Sequence, residues 1–188
     1  MILEEETIVR EGFKITIETE EYDLENPRDW DNTGTMACFH GRYNLGDQHD
    51  FEDTQALDEF LKREDVISLP LYLYDHSGIT ISTEPFSCPW DSGQVGYIYV
   101  TKEKMREVFM VERVNAEIIK QAMENLRSEV RAYDSYLRGD CYRYTIHKLD
   151  EDGEEDEEVE SCGGYLGDLD YCRKEAGSML DYYLKQQA

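Results

Sequence analysis

The stretch of 35 residues from Val66 to Val100 constrains the fold of this chain more than any other part of its sequence. It carries three acidic residues and no lysine or arginine, in a chain whose net charge is −24. Its runs 66–74 and 96–100 are rich in β-branched and aromatic residues, which favours buried strands. Residues 79–83 follow the turn formers of 75–78, so the stretch predicts a buried antiparallel hairpin and then a further strand.

Apolar periodicity predicts the other elements. Residues 7–20 predict a half-exposed strand with Phe13, Ile15 and Ile17 on one face. The remaining predicted elements are a strand over 33–40, a helix over 55–63 capped by Asp53 or Thr54, helices over 102–109 and 115–138, a strand over 141–149, a hairpin over 150–160 and a last helix over 168–185. This order predicts an α+β fold, with a mainly antiparallel sheet, helices packed on one face and a C-terminal helix.

Charge divides the sequence into three parts. Residues 1–65 carry a net charge of −13 and residues 150–188 carry −10, whereas residues 66–149 carry −1. A chain of 188 residues is long enough for one domain with its own core. We therefore predict a single α+β domain over 1–188, with an acidic N-terminal part, a neutral core, and an acidic hairpin followed by the C-terminal helix.

Several features indicate a cytoplasmic protein without a metal or cofactor. No apolar run approaches the roughly 20 residues that a membrane span needs. The first residues are acidic where a signal peptide carries bases. The five cysteines are scattered and form no C-x-x-C pair, which favours reduced thiols over a zinc site.

The acidic ends supply the candidate partner-binding residues. The tract 150–160 has nine acids in eleven residues, and Asp152-Gly153 predicts its turn. Alternate carboxylates on a strand stand about 6.6 Å apart, so the tract can follow a groove lined by Lys and Arg. The alternative is a solvated and partly disordered hairpin tip. The tract lacks the EF-hand pattern, so any binding of divalent cations would be weak and unspecific. The residues expected to contact a partner are Glu154, Glu155, Asp156, Glu157, Glu158, Glu20, Glu21, Asp23, Asp29, Trp30 and Asp31.

The charge disfavours nucleic acid as a direct ligand, since duplex DNA carries one negative charge per roughly 1.7 Å of axis. It favours a partner whose own surface is built to hold nucleic acid. The alternative is a protein-binding module that the charge merely keeps in solution.

One cluster suggests an enzyme instead. Cys88 needs a base such as His76 within hydrogen-bond reach to act as a nucleophile. If 66–74 and 79–83 pair, His76 lies at the hairpin tip and Cys88 at the opposite end of the strand, which disfavours a catalytic pair. The expected role of Trp90 is then to anchor a packed loop. The sequence has no P-loop, H-E-x-x-H or G-x-S-x-G motif.

Two segments resemble a known group of proteins. The segments YDHSGITISTEPFSCPWDSGQVGYIYV, residues 74–100, and ESCGGYLG, residues 160–167, are similar to small proteins of phages and other mobile elements, most of them uncharacterised. The resemblance covers about 60–100 and 160–185 and brings no catalytic motif with it. It implies a role in the conflict between mobile DNA and host defence.

The acidity, in addition, resembles that of DNA-mimic anti-restriction and anti-CRISPR proteins, a class united by charge and not by fold. Together the two resemblances imply a non-enzymatic inhibitor in the host cytoplasm. Its partner would be a host defence nuclease with a basic nucleic-acid-binding groove.

Overall fold

The computed structural model describes residues 5–20 and 24–187. In chain order the elements are β1 (Glu6–Arg10), β2 (Phe13–Thr19), a 3₁₀ turn (Pro27–Asp29), β3 (Thr35–Cys38), α1 (Thr54–Leu61), β4 (Val66–Asp75), β5 (Ile79–Ser82), β6 (Ser92–Thr101), α2 (Lys102–Val108), α3 (Ala116–Arg138), β7 (Cys141–Leu149), β8 (Glu155–Leu166) and α4 (Leu169–Gln187). The strands pair antiparallel in two four-stranded sheets, of order β1-β2-β7-β8 and β3-β6-β4-β5. The α+β class, the antiparallel pairing and the C-terminal helix are thus confirmed.

The chain forms two compact units. The terminal unit combines the described residues up to Leu24 with those from Gly139 onward, and it holds the first sheet and α4. The central unit spans Glu25–Arg138 and holds the second sheet with α1, α2 and α3. These boundaries do not follow the charge-based boundaries after residues 65 and 149. The single domain over 1–188 stays a prediction.

The core of the terminal unit lies between α4 and the sheet face of β2 and β7. Ile15 lies opposite Ile146 in the register, so the apolar residues of both strands fall on one face. α4 covers that face with its own apolar stripe. The buried core residues are Phe13, Ile15, Ile17, Tyr142, Tyr144, Ile146, Cys172, Ala176 and Leu180.

In the central unit, α3 packs on the second sheet with the apolar stripe that the sequence predicts. Its buried residues are Ala122, Leu126, Val130 and Tyr133. The Asn115 side chain caps the helix by accepting a hydrogen bond from the Ile118 N–H at 3.0 Å. A Cβ on Gly34 would lie 2.3 Å from the Leu126 side chain, so this glycine lets the segment before β3 approach the helix.

The N-terminal strand prediction over 7–20 is wrong in one respect, because the chain reverses within it. Glu11 and Gly12 both have positive φ, 51° and 81°, and form a two-residue turn between β1 and β2. Such turns match the right-handed twist of a hairpin. Regular apolar alternation begins at Phe13, immediately after the turn.

The strand predicted over 96–100 begins earlier, at Ser92. β6 therefore runs alongside β4 up to the pairing of Tyr74 with Ser92, with a register shift between Leu71 and Tyr72. This pairing returns the loop before β6 to the tip of the β4–β5 hairpin. Gly96 lies so close to β3 that a Cβ would be 2.0 Å from the Ala37 carbonyl oxygen.

Candidate partner-binding surfaces

The acidic tract forms the predicted hairpin, with an ordered turn between β7 and β8. The Asp150 carboxylate accepts hydrogen bonds from the N–H groups of Asp152 and Glu154, both at 2.9 Å. Gly153 has a φ of 84°, which a residue with a side chain rarely adopts. The turn holds its own shape, and residues 151–158 are all exposed.

β8 is an edge strand whose register is irregular in its acidic half. Lys148 pairs with Glu157 and His147 with Glu158, while Asp156 and Val159 are the extra residues at two register shifts. Bulges of this kind bend an edge strand and increase its twist. The carboxylates therefore do not form a flat ladder with strict alternation.

Glu155 differs from the other acids of the tract. Its carboxylate accepts a hydrogen bond from Lys14 Nζ on β2 at 2.7 Å, and His147 Nδ1 lies 3.7 Å away. The hydrogen bond from Lys14 holds the pKa of Glu155 below its ordinary value. Glu155 thus ties β8 to the sheet, while its neighbours Glu154, Asp156 and Glu157 project from the hairpin.

Glu20 makes contacts within the terminal unit. Its carboxylate accepts a hydrogen bond from the Gly164 N–H at 2.7 Å and lies 3.6 Å from the Cys141 sulfur. A Cβ on Gly163 would be 2.6 Å from the carboxylate oxygens. Glu20 thus fixes the irregular end of β8, a role that its sequence context did not indicate. Glu21 and Asp23 lie outside the described residues.

The segment with Asp29, Trp30 and Asp31 belongs to the central unit, and all three side chains are exposed. Trp30 has 47% of its surface exposed. Asn32 fixes the backbone here, because its amide donates hydrogen bonds to the Pro27 and Trp30 carbonyls at 2.8 and 3.0 Å. This segment therefore presents an indole between two carboxylates.

Arg28 attaches this segment to the core of the central unit through hydrogen bonds. Its buried guanidinium donates two hydrogen bonds to Asp47, at 2.8 and 2.7 Å, and one to Glu129 on α3 at 3.2 Å. Glu129 also accepts hydrogen bonds from the N–H groups of Thr33 and Gly34. Burial lowers the pKa of Arg28, but the two carboxylates outweigh it and leave the pKa above its ordinary value. Sequence patterns missed this cluster because its three charges are far apart in the chain.

Trp90 does not anchor a packed loop, and that expectation is wrong. Its side chain is 89% exposed and lies on the loop before β6, near the tip of the β4–β5 hairpin. The loop itself is well held. The Asp75 N–H donates to the Asp91 carbonyl at 2.8 Å, Ser92 Oγ donates to the Cys88 carbonyl, and the ring of Phe86 packs on Tyr74 with centroids 5.6 Å apart.

The expected separation of Cys88 from His76 is also wrong, because both contact Asp91. The Cys88 thiol donates to Asp91 Oδ2 at 3.5 Å, and His76 Nδ1 lies 3.4 Å from the same oxygen. The reason is the return of the loop along β4. Asp91 nevertheless places a carboxylate next to the sulfur, where a nucleophilic thiolate needs a base or a positive charge.

A cleft of about 380 Å³ opens beside the exposed indole. We call it the Trp90 cleft and define it by six of its lining residues: His40, Arg42, Asp75, Trp90, Asp91 and Gln94. Arg42 pairs with Asp75, whose carboxylate also accepts from the Tyr43 hydroxyl at 3.3 Å. Sequence patterns missed this site, although the recurrence of Trp-Asp at 30–31 and 90–91 was a visible signal.

Within residues 5–20 and 24–187, no three His, Cys, Asp or Glu side chains are arranged to hold a metal ion. None of the helices in this part of the chain combines the length and apolar character required to cross a bilayer.

Comparisons with known proteins add no relative. No protein-family model, curated protein or solved structure matches the chain. The fold and the surfaces described above are therefore the basis for any proposal about function.

Proposed function

We propose that this protein is a non-enzymatic anti-defence inhibitor from a phage or mobile element, of the anti-CRISPR or anti-restriction kind. It would occupy the nucleic-acid-binding groove of a host nuclease with DNA-mimic-like acidic contacts. The observation that supports this best is the exposed hairpin of β7 and β8, with five consecutive acids from Glu154 to Glu158.

The spacing of these charges suits a groove that binds nucleic acid. A strand advances about 3.4 Å per residue, so consecutive acids, which alternate between its two faces, together place one charge per roughly 3.4 Å of strand axis. Each strand of B-DNA places one phosphate per roughly 3.4 Å of helix axis. The bulges add twist to the edge strand, which fits a helical groove better than a flat ladder does.

The contacts that hold the backbone of the hairpin also support a binding role. The Asp150 turn and the Lys14–Glu155 pair fix the backbone before a partner arrives, so little conformational freedom is lost on association. Asp29, Trp30 and Asp31 offer a second acidic surface, mounted on Arg28. An aromatic residue among acids is typical of interfaces in which aromatic side chains supply affinity and charge supplies association rate.

The first test is a DNA-cleavage panel of restriction enzymes and RNA-guided nucleases, each with and without the protein in slight excess. We expect stoichiometric inhibition of one nuclease, and relief of the inhibition when that nuclease is loaded with DNA beforehand. Inhibition that persists after DNA loading would contradict occupation of the nucleic-acid groove.

Within that assay, a hairpin variant tests the acids directly. It combines Glu154→Gln, Asp156→Asn, Glu157→Gln and Glu158→Gln and keeps Glu155, because Glu155 holds Lys14. We expect inhibition at least ten-fold weaker, with an unchanged melting temperature, since these side chains are exposed. Inhibition by the unaltered protein should also weaken as salt approaches about 0.5 M, because salt screens exposed charges.

A matched control removes the same charge from the central unit. It combines Glu52→Gln, Asp58→Asn, Glu107→Gln and Glu112→Gln, four exposed acids outside both acidic surfaces. Equal losses in the two variants would mean that net charge matters and the hairpin does not. Unchanged potency in the hairpin variant would remove the hairpin from the mechanism.

The convergence of Cys88 and His76 on Asp91 favours a second candidate, a small enzyme that inactivates its target. Such an enzyme would act far below one molecule per nuclease, and Cys88→Ala would abolish its effect. Stoichiometric inhibition that survives Cys88→Ala would exclude this candidate.

A further inference from the structure

The two tryptophans of this chain are both exposed, and both lie in the central unit. Trp90 is 89% exposed although its loop is held by the hydrogen bond from the Asp75 N–H to the Asp91 carbonyl, by that from Ser92 Oγ to the Cys88 carbonyl, and by the packing of Phe86. Tryptophan is the side chain most strongly enriched where interfaces concentrate their binding energy. An exposed indole on a well-held loop therefore indicates a binding site more strongly than the same indole on a mobile segment would.

The surroundings of Trp90 define the charge of its ligand. Asp75, the last residue of β4, and Asp91, the residue before β6, are neighbours, since the Asp75 N–H donates to the Asp91 carbonyl. Both line the Trp90 cleft, together with the indole. An aromatic face beside carboxylates favours a cation, which can lie over the ring and pair with the acid at once.

An arginine of the protein itself, Arg42, already uses this chemistry within the cleft. The Arg42 guanidinium pairs with Asp75, and its Cζ lies 5.5 Å from the centroid of the Tyr43 ring. Arg42 is largely exposed, whereas Asp75 is not. Trp90 and Asp91 give the same cleft a second aromatic ring and carboxylate. His76 and the Cys88 thiol contact Asp91 Oδ2, at 3.4 and 3.5 Å, and Oδ1 has neither contact.

We propose that the Trp90 cleft binds an arginine side chain of a partner protein. The guanidinium stacks on the Trp90 indole and donates hydrogen bonds to the Asp91 carboxylate. Arginine fits better than lysine because its planar fork can stack and form two parallel hydrogen bonds at the same time. The cleft, at about 380 Å³, has room for one such side chain and part of its backbone.

That this arginine belongs to a nuclease groove rests on the function proposed above. Grooves of that kind present arginines to phosphates and bases. The binding of arginine by the cleft can be tested without any nuclease, so failure of one proposal is distinguishable from failure of the other.

The experiment is a titration of the ¹⁵N-labelled protein with tetra-arginine and, separately, tetra-lysine at physiological salt. Two tryptophans give two indole N–H signals, and Trp30→Phe assigns them. We expect tetra-arginine to shift the Trp90 signal more than the Trp30 signal, and tetra-lysine to bind at least five-fold more weakly. Asp91→Asn should weaken tetra-arginine binding at least five-fold, whereas Glu112→Gln, an equal loss of charge elsewhere in the unit, should change it less than two-fold.

Four results would overturn the proposal. An unmoved Trp90 signal would mean that the cleft takes no arginine. Equal shifts with both peptides, or equal effects of Asp91→Asn and Glu112→Gln, would mean general attraction to an acidic protein. A Trp90 signal that moves with protein concentration and not with peptide would identify a second copy of this chain as the occupant.

Discussion

Arg28 is a charged residue that belongs to a core. In the sequence it is one base in an acidic loop, and nothing nearby marks it as buried. Its partners Asp47 and Glu129 come from distant parts of the chain, and removal of one member of such a cluster leaves a buried charge uncompensated. Exposed Asp29 and Asp31 were predictable from composition, whereas the anchor between them and the core was not.

Trp90 and Cys88 are two further residues whose surroundings the sequence did not predict correctly. A Pro-Trp pair in a loop beside buried strands suggests packing, and the exposure of Trp90 depends on where β6 begins. The same return of the chain brings Asp91, and with it Cys88, to His76 at the hairpin tip. Both facts follow from the register of two strands, which a local pattern does not contain.

Cys38 provides a prediction about pH at this scale. Burial raises the pKa of its thiol to about 12 from an ordinary value of 9.0, with a smaller contribution from Asp47. The folded protein therefore holds this proton more tightly than the unfolded chain. The associated stability is complete below about pH 9 and is lost as pH rises toward about 12.

We expect the free energy of unfolding to fall by about 2 kcal/mol more in the unaltered protein than in Cys38→Ala between about pH 9 and pH 11. Urea unfolding at several pH values measures this difference. The constant cost of the lost sulfur cancels, because the slopes with pH are compared. Parallel pH dependences in the two proteins would contradict the assignment to Cys38.

At the scale of elements, α3 was the easiest to predict and the hairpin of β1 and β2 the hardest. A stripe of apolar residues repeated over six turns is typical of an amphipathic helix, and the predicted helix over 115–138 matches Ala116–Arg138. β1 has no such pattern, because it is an edge strand whose residues are largely exposed. The acidic hairpin was predicted correctly, but its bulges were not, since they arise from pairing across strands.

The close packing of β6 against β3 can be tested with two glycine variants of β6. Gly96→Ala would place a Cβ 2.0 Å from the Ala37 carbonyl oxygen, and backbone must move to relieve the contact. We expect a loss of about 3 kcal/mol or more of stability, at the upper end for overpacking. Gly93→Ala on the same strand is the matched control, because nothing lies within 4 Å of its added Cβ.

Thermal unfolding of the two variants measures this difference in stability. We expect Gly93→Ala to stay within about 1 kcal/mol of the parent, as exposed substitutions usually do. Equal melting temperatures for the two variants would mean that β3 yields easily and that the close approach at Gly96 is not a constraint.

At the scale of the whole molecule, the central unit is one continuous segment with its own core. The sheet β3-β6-β4-β5 and the helix α3 lie entirely within Glu25–Arg138. We expect a fragment of residues 25–138 to fold alone and to unfold cooperatively in urea, with both indole signals at the positions seen in the full chain. A fragment without dispersed amide signals would show that the central unit depends on the rest of the chain.

Charge at this scale did not predict the units. The sequence divides by composition after residues 65 and 149, whereas the chain divides structurally after Leu24 and Arg138. The reason is that β2, near one end, pairs with β7, more than a hundred residues later. Pairing at such a distance leaves no trace in local composition.

The split of the terminal unit has a consequence for synthesis on the ribosome. At about 5–20 residues per second, β7 is made roughly 6–25 seconds after β2, and the central unit has time to fold in between. β2 must wait without its partner strand β7 for that interval. Because the acidic hairpin is made later still, a nascent chain acquires this part of its proposed inhibitory surface only after the central unit is complete, and a product terminated before β8 would lack it.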